Sequence, residues 1–140
     1  MQALIDQIGG EEAVAQLVER FYDLMETRPE AYEIHRLHFR GHGVDHVRAE
    51  QLDFMIGFMG GRQYYREKHG HMDLQEIHAH VPIRAEDAEI WLDTWEMALD
   101  ECGLEGPHID RLRMIVQRVA RKLVNDVHDW RKDVPDARLN

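Results

Sequence analysis

Residues 74–82, with the sequence LQEIHAHVP, form the stretch that decides the fold. The i, i+3, i+4, i+7 spacing of an amphipathic helix is followed by Leu74, Ile77, His78 and Val81. His80 lies about 200° round the same helix from His78, on the side that faces water. The pattern therefore predicts a short helix whose apolar face carries a single histidine, His78.

A histidine on an apolar helix face needs partners for its ring nitrogens, because a buried polar group without one costs roughly 1–3 kcal/mol. One solution is a hydrogen bond to a backbone carbonyl, as in an ordinary core histidine. The other is a metal bond, since a single imidazole reaching into an apolar pocket can hold haem iron. The segment alone leaves both interpretations of His78 open.

The remaining sequence predicts an all-α protein, because apolar residues recur with helical period and no strand-like alternation of any length is present. A short helical turn ends at Gly9–Gly10. Residues 1–130 are predicted to form one domain and residues 131–140 a flexible C-terminal tail. The longer helices are expected over residues 11–28, 29–37, 45–59, 86–102 and 107 to about 127.

The composition of the 140-residue chain is acidic, with 17 Lys and Arg against 27 Asp and Glu. An acidic surface argues against nucleic-acid or anionic-membrane binding, which needs a basic footprint. The lone Cys102 excludes an internal disulfide and a cysteine zinc cluster. The first residues do not predict a signal peptide, and no apolar run reaches the roughly 18 residues of a membrane helix. We expect a soluble, cytoplasmic protein.

Three polar residues occupy positions where apolar ones are expected. Gln51 stands at the centre of an apolar helix face between Val47 and Phe54, and its amide needs partners when buried. Tyr22 and Trp91 lie on the buried faces of their helices, where packing alone would also explain them. If the three polar groups converge on the pocket of His78, they form a cage of donors around a ligand on iron.

Several short motifs follow one another at a specific spacing along the chain: Ile8-Gly9-Gly10-Glu11, Arg20-Phe21-Tyr22, Gly60-Gly61, Tyr65, Gly70-His71, Leu74, His78 and Trp91. A Gly–Gly pair alone is weak, but the combined spacing is specific and includes the thirteen residues that separate His78 from Trp91. On these motifs the chain resembles the truncated haemoglobins, and is most like their group II. The resemblance covers about residues 3–127.

This resemblance implies a truncated globin fold, a two-over-two helical sandwich around haem b, with His78 as the axial ligand of the iron. Tyr22 becomes the distal hydroxyl, and Trp91 donates its indole N–H to the bound ligand. Gln51 falls on the distal helix, with Val47 at the gate position one turn earlier. Haem is expected to be non-covalent, because the chain has no Cys-x-x-Cys-His motif.

The resemblance also implies contacts with the rest of the haem. Phe39 falls on the aromatic position that packs against the porphyrin if about four extra residues precede it, with Tyr32, His35 and His38 as alternatives. The family commonly has arginine where this chain has Ile77, and proline where it has Met72. Tyr65, Arg66 and His71 are candidates for the propionates, which need cationic or hydroxyl partners. The apolar haem contacts are Phe54, Leu74, Ile77 and Val81.

Histidine is abundant between residues 35 and 46, which raises two further hypotheses. His35, His38, His42 and His46 would form one metal-binding face for zinc or nickel if the helix were continuous, but Gly41 and Gly43 interrupt it. Alternatively, His42 or His46 ligates the haem iron in the ligand-free state and makes it six-coordinate.

The function predicted from these features is reversible binding of O2 for scavenging, storage or sensing. The alternative is a redox enzyme on the same iron, a nitric-oxide dioxygenase or a peroxidase. The expected partners are O2, NO, CO or peroxide and an unidentified reductase, with the protein a monomer or a homodimer. A haem-free helical interaction protein is the third hypothesis, and it predicts a colourless product.

Overall fold

All regular structure in the described part of the chain is helical, which confirms the predicted fold class. The computed structural model describes residues 2–40 and 43–133, except for the side chains of Phe39 and Arg40. The α-helices are α1 Leu4–Ile8, α2 Glu11–Thr27, α3 Tyr32–Arg36, α4 Val44–Phe58, α5 Tyr64–His69, α6 Leu74–Ile77, α7 Ala85–Glu101 and α8 Pro107–Lys122. Short 3-10 helices cover Pro29–Ala31, Leu37–Arg40 and Trp130–Lys132.

Two helix pairs enclose the core. Helix α2 packs against α4 and also against α7, and α7 packs against α8. The apolar stripe of α2 meets that of α7 at Leu17, Phe21, Trp95 and Leu99, all of which are fully buried. Burial of each such side chain stabilises the fold by roughly 1.5–3 kcal/mol. This arrangement is the two-over-two sandwich that the resemblance implied.

The Gly60–Gly61 pair ends α4 as predicted, and each glycine is required for a different reason. Gly60 has a φ of 93°, a left-handed conformation that L side chains rarely adopt. A Cβ atom on Gly61 would stand 2.7 Å from the Cδ1 of Ile5 and 2.9 Å from the Cγ2 of Ile56. The turn therefore allows α1 to approach the end of α4.

Several predicted boundaries were wrong because they relied on local periodicity. The polar stretch after Gly61 forms helix α5, and α6 is a single turn that ends at Ile77, just before His78. Helix α8 ends at Lys122 rather than near residue 127. Among the described residues, no helix is long and apolar enough to cross a membrane.

The start of the predicted C-terminal tail belongs to the folded domain. Arg131 is buried, and Trp130 is half-buried with the Arg36 guanidinium 5.8 Å from its ring centroid. Arg131 was predicted to lie in the flexible tail, but its side chain pairs with carboxylates in the interior. Residues 134–140 lie outside the described part of the chain.

Candidate functional site

A cavity of about 520 Å³ lies between α2, α4, α6, α7 and α8. Its size falls within the range of roughly 300–1,000 Å³ typical of cofactor and small-molecule pockets. Most of its surface is apolar, with a few polar side chains. The predicted site residues that it brings together are Tyr22, Val47, Gln51, Phe54, Tyr65, Leu74, Ile77, His78, Val81 and Trp91.

His78 follows α6 directly and has one ring nitrogen fixed. Asp73 caps α6, since its carboxylate accepts hydrogen bonds from the backbone N–H groups of Gln75 at 3.1 Å and Glu76 at 3.3 Å. The Nδ1–H of His78 donates to the carbonyl oxygen of Leu74 at 2.8 Å. Because a carbonyl can only accept, this bond places the ring proton on Nδ1 and leaves the lone pair on Nε2.

The second nitrogen of His78 is available to a ligand. Within residues 2–40 and 43–133, its Nε2 makes no hydrogen bond. Burial lowers the pKa of His78, so that the imidazole is neutral and can bind a metal. A carbonyl-oriented imidazole with a free Nε2 is the arrangement that metal-ligating histidines adopt. The core-histidine interpretation accounts for only one of its two nitrogens.

Three polar side chains in the cavity wall have no protein partner. Among the described residues, no hydrogen bond is made by the Tyr22 hydroxyl, the Gln51 amide or the Trp91 indole N–H. Tyr22 is only 3% exposed, and burial raises the pKa of its hydroxyl well above the ordinary value. All three groups therefore remain available to donate a hydrogen bond to a small ligand in the cavity.

Helices α2 and α4 hold Tyr22 in place through Arg48, which the sequence interpretation missed. The Arg48 guanidinium lies 5.7 Å from the Tyr22 ring centroid. It also pairs with Glu19 at 2.8 Å, with Asp23 at 3.0 Å and with Glu26, all on α2. The acidic stripe at spacing i, i+4, i+7 was the signal that could have revealed this contact.

Aromatic packing fixes Trp91. Its ring centroid lies 5.0 Å from that of Phe21 and 5.8 Å from that of Trp95, with the two indoles nearly parallel at 13°. Trp95 is itself fully buried in the core. The indole of Trp91 is therefore held at the cavity wall by neighbours on α2 and α7.

Some predicted haem contacts are not in the cavity wall. Arg66 is exposed, and His71 uses its Nδ1 to accept a hydrogen bond from the Asp73 backbone N–H at 3.1 Å. The side chain of Phe39, predicted to pack on the porphyrin, is outside the described part of the structure. The role of Arg66 and His71 as propionate partners stays a prediction.

His38 is the polar cavity residue that the sequence named only as an alternative. Its ring centroid lies 6.2 Å from that of Tyr22, and its buried Nδ1 has no hydrogen-bond partner. Burial, aided by repulsion from His35, lowers the pKa of His38 and keeps it neutral. Periodicity could not place it, because residues 37–40 form a 3-10 helix rather than an α-helix.

The histidine cluster does not form a metal site in the described residues. No group of three or more His, Cys, Asp or Glu side chains there could hold a metal ion. His46 lines the cavity, together with His69, whose Nε2 lies 2.5 Å from the Glu50 carboxylate. His42, the other predicted internal ligand, lies outside the described residues.

The fold and this cavity define a small all-α protein with a largely apolar ligand pocket, in which His78 presents a free ring nitrogen. Residues 3–125 match the family model described as bacterial-like globin. The group 2 truncated hemoglobin YjbI of Bacillus subtilis (strain 168) is 34% identical over 116 residues, covering 83% of this chain and 84% of that protein. The chain belongs to the bacterial-like globin family and resembles its group II truncated haemoglobins.

Solved structures agree with this assignment. The group II 2-on-2 hemoglobin of Agrobacterium tumefaciens superposes with a TM-score of 0.83 at 32% identity, covering 89% of this chain and 95% of that one. The truncated oxygen-avid haemoglobin of Bacillus subtilis gives a TM-score of 0.78 at 32% identity, covering 89% of this chain and all of that one. As a member of this family, the chain is a haem globin that binds diatomic gases.

The residues present fit a haem. The apolar walls of Phe54, Leu74, Ile77 and Val81 suit a porphyrin face, and the free Nε2 of His78 suits its iron. The unpartnered polar groups on α2, α4 and α7 suit a small polar ligand in the same cavity.

Proposed function

We propose that this protein binds O2 reversibly on haem b held non-covalently through His78, for O2 scavenging, storage or sensing. The observation that carries the proposal is the pairing of two features in one cavity: an imidazole with only Nε2 free, and three unpartnered donor side chains. The oxygen-avid haemoglobin of Bacillus subtilis, with the same fold at 32% identity, supports O2 as the ligand.

The haem, when bound, supplies an iron that takes diatomic gases as ligands. The chain's own residues supply the rest. The Leu74 carbonyl orients His78, and the apolar cavity walls exclude water from the porphyrin. Covalent attachment is not expected, because Cys102 is the chain's one cysteine and no second thiol accompanies it.

Polar groups in the distal wall retain the ligand. A diatomic ligand that would take up negative charge in this cavity would be held best by donors that need no reorganisation. The Tyr22 hydroxyl and the Trp91 indole N–H are such donors, and the Gln51 amide is a third. We add His38 to this set, since its Nδ1 is buried beside Tyr22 without a partner.

The Trp91→Phe variant is expected to release O2 about tenfold faster than wild type, because loss of one hydrogen bond of about 1.4 kcal/mol acts mainly on the dissociation rate. Stopped-flow measurement of O2 dissociation checks this result. The matched control is Trp130→Phe, which changes a half-buried indole that does not line the cavity. An unchanged rate in Trp91→Phe, or an equal change in the control, contradicts the donor role.

The Tyr22→Phe variant is expected to change ligand retention and stability in opposite directions. It removes a buried hydroxyl without a protein partner, so the haem-free protein should gain up to about 1 kcal/mol of unfolding free energy. O2 dissociation should accelerate about tenfold, as for Trp91. Chemical denaturation of the haem-free protein and stopped-flow kinetics give the two values. A less stable haem-free variant would show that the hydroxyl has a structural partner.

Turnover separates the O2 carrier from the redox enzyme. Rapid consumption of nitric oxide or peroxide, sustained by a reductant, would favour the nitric-oxide dioxygenase or the peroxidase over simple O2 binding. The spectrum of the ferrous, deoxygenated protein tests the internal-ligand hypothesis. If wild type has a low-spin spectrum and His46→Leu abolishes it, His46 is the internal ligand. A high-spin spectrum of wild type would reject the internal-ligand hypothesis.

A further inference from the structure

The outward face of α8 differs in charge from the rest of the chain. From residue 111 to residue 125 the sequence contains no Asp or Glu, although the whole chain has a formal net charge of −10. The same segment contains five of the 17 basic residues. These residues are Arg111, Arg113, Arg118, Arg121 and Lys122.

Three of these cations are exposed and unpaired. Among the described residues, neither Arg111, Arg118 nor Lys122 makes a hydrogen bond or an ion pair. By contrast, Arg113 pairs with Glu96 at 2.8 Å and Arg121 with Glu89. On a helix, positions 111, 115, 118 and 122 follow one another along a single stripe.

Apolar side chains lie between the cations. Met114 is 63% exposed, Ile115 48% and Val124 39%, and these are among the most exposed large apolar side chains of the described residues. A shallow depression on this face is lined by Met114, Gln117, Arg118, Arg121 and Lys122. An apolar centre with a charged rim is typical of a protein–protein interface.

The inner face of the same helix lines the cavity. Val116, Val119, Ala120 and the following Leu123 belong to the cavity wall. A helix with its side chains is about 10–12 Å across, so only its width separates the basic face from the cavity. A redox centre docked on this face would lie close to a haem in that cavity.

We propose that the outward face of α8 docks an acidic one-electron carrier protein that reduces the haem. The inference rests on the proposed function, because it requires a haem in the cavity. One electron leaves the carrier's flavin or iron–sulfur centre and converts ferric haem to ferrous haem, with no bond made or broken. An O2 carrier needs this electron after autoxidation, and a dioxygenase needs it in every turnover.

The charges favour an acidic partner protein over the alternatives. Docking of two copies through this face would bring three unpaired cations against three others, which costs free energy. The acidic remainder of the chain repels an acidic carrier, whereas the α8 face attracts it and so orients the encounter. One helix face provides a small interface, as in transient redox complexes.

The test uses the haem-loaded protein and a strongly acidic flavodoxin in its hydroquinone form, mixed anaerobically by stopped flow. The docking variant is Arg118→Glu with Lys122→Glu. The matched control, Arg62→Glu with Lys132→Glu, changes the net charge equally at exposed positions away from α8. A second variant, Met114→Ser with Ile115→Ser, removes the apolar centre without a change in charge.

At low salt, the docking variant is expected to be reduced at least about tenfold more slowly than wild type, and the difference should vanish at about 0.5 M salt. The affinity for flavodoxin, measured by calorimetry, should fall in parallel in the docking variant. It should also fall in the variant with Met114→Ser and Ile115→Ser. The control and the rate of reduction by dithionite should stay near wild type.

Several results overturn the proposal. The first is an equal rate of haem reduction in wild type and docking variant, and the second is an equal fall of that rate in the control variant. The proposal also fails if the protein is a homodimer that the docking variant dissociates, or if the same residues bind anionic phosphatidylserine vesicles and not flavodoxin. A colourless protein, or a haem protein that does not bind O2, would instead refute the proposed function. Calorimetry would still report flavodoxin binding in that case, which keeps the two failures distinguishable.

Discussion

A His78→Gly variant is expected to lose haem and to be purified without a Soret band of wild-type intensity. Loss of a residue that only orients a metal ligand lowers metal affinity by roughly 10–100-fold, so loss of the ligand itself should cost more than about 100-fold. The Leu74 carbonyl accepts a hydrogen bond from the Nδ1–H of His78 at 2.8 Å. It offers only an oxygen, so it cannot replace the imidazole nitrogen as a ligand. Titration of the haem-free variant with hemin measures the affinity.

Two measurements make the His78 prediction specific. Imidazole added to His78→Gly should restore a histidine-like spectrum, because it can occupy the space of the missing ring. His80→Gly is the matched control, since His80 is exposed two residues away and should bind haem as wild type does. A His78→Gly protein with wild-type haem affinity and spectrum would assign the axial ligand elsewhere.

An Arg131→Met variant is expected to lose about 3–5 kcal/mol of unfolding free energy, because it leaves two buried carboxylates without their cation. Arg131 binds Asp87 through both Nη atoms at 2.8 and 3.0 Å and Asp129 at 2.8 Å, and all three side chains are at most 7% exposed. Its Nη1 also donates to the Glu33 carbonyl at 2.9 Å. Thermal denaturation should show a fall of about 10 °C or more.

The control for Arg131 is a surface pair of the same chemistry. Arg121→Met breaks the exposed pair with Glu89 and should cost less than about 1 kcal/mol. Equal losses in the two variants would show that burial does not decide the effect. Because Asp87 also lines the cavity, Arg131→Met should lower haem retention on heating as well.

The same ion cluster predicts the response to acid. The Arg131 guanidinium holds the pKa of Asp129 below its usual range. A lowered folded-state pKa means that the unfolded chain binds the proton first, so this contribution is fully present above about pH 4 and is lost as the pH falls through the folded value. In Arg131→Met the cation is absent and protonation relieves the cost of the unpaired carboxylates, so the loss of stability relative to wild type should shrink as the pH falls below about pH 4. Unfolding measured from neutral to acid pH in both proteins checks the slopes.

Part of the site was predictable because its residues repeat with helical period. Helical period placed His78 on one apolar face with Leu74, Ile77 and Val81. The roles expected of His78, Tyr22 and Trp91 came from the resemblance to truncated haemoglobins. The cavity contains these three residues together with Gln51, which helical period alone could not predict because it does not say which helix faces meet.

Other features could not be predicted, since they depend on contacts between distant segments. Residues 131–140 were predicted to form a flexible tail, yet Arg131 pairs with Asp87 across 44 residues of sequence. Helix α5 was missed because its polar sequence has little periodicity, and packing against α4 stabilises it. His38 reaches Tyr22 only because a 3-10 helix turns it there.

The sequence by itself therefore determined the helical class and the side chains that share an apolar helix face with His78, because helical period is a local property of the chain. The role of His78 as the iron ligand stays a prediction. Only the tertiary structure decided which nitrogen of His78 is free, since that depends on the Leu74 carbonyl one turn before it. It also decided that Arg131 pairs with Asp87 in the cavity wall and that α8 turns a basic face outward. The bond between His78 and Leu74 is local, but it depends on the rotamer that the ring adopts, which helical period leaves open. The other two properties arise when separate segments pack, and no local pattern encodes them.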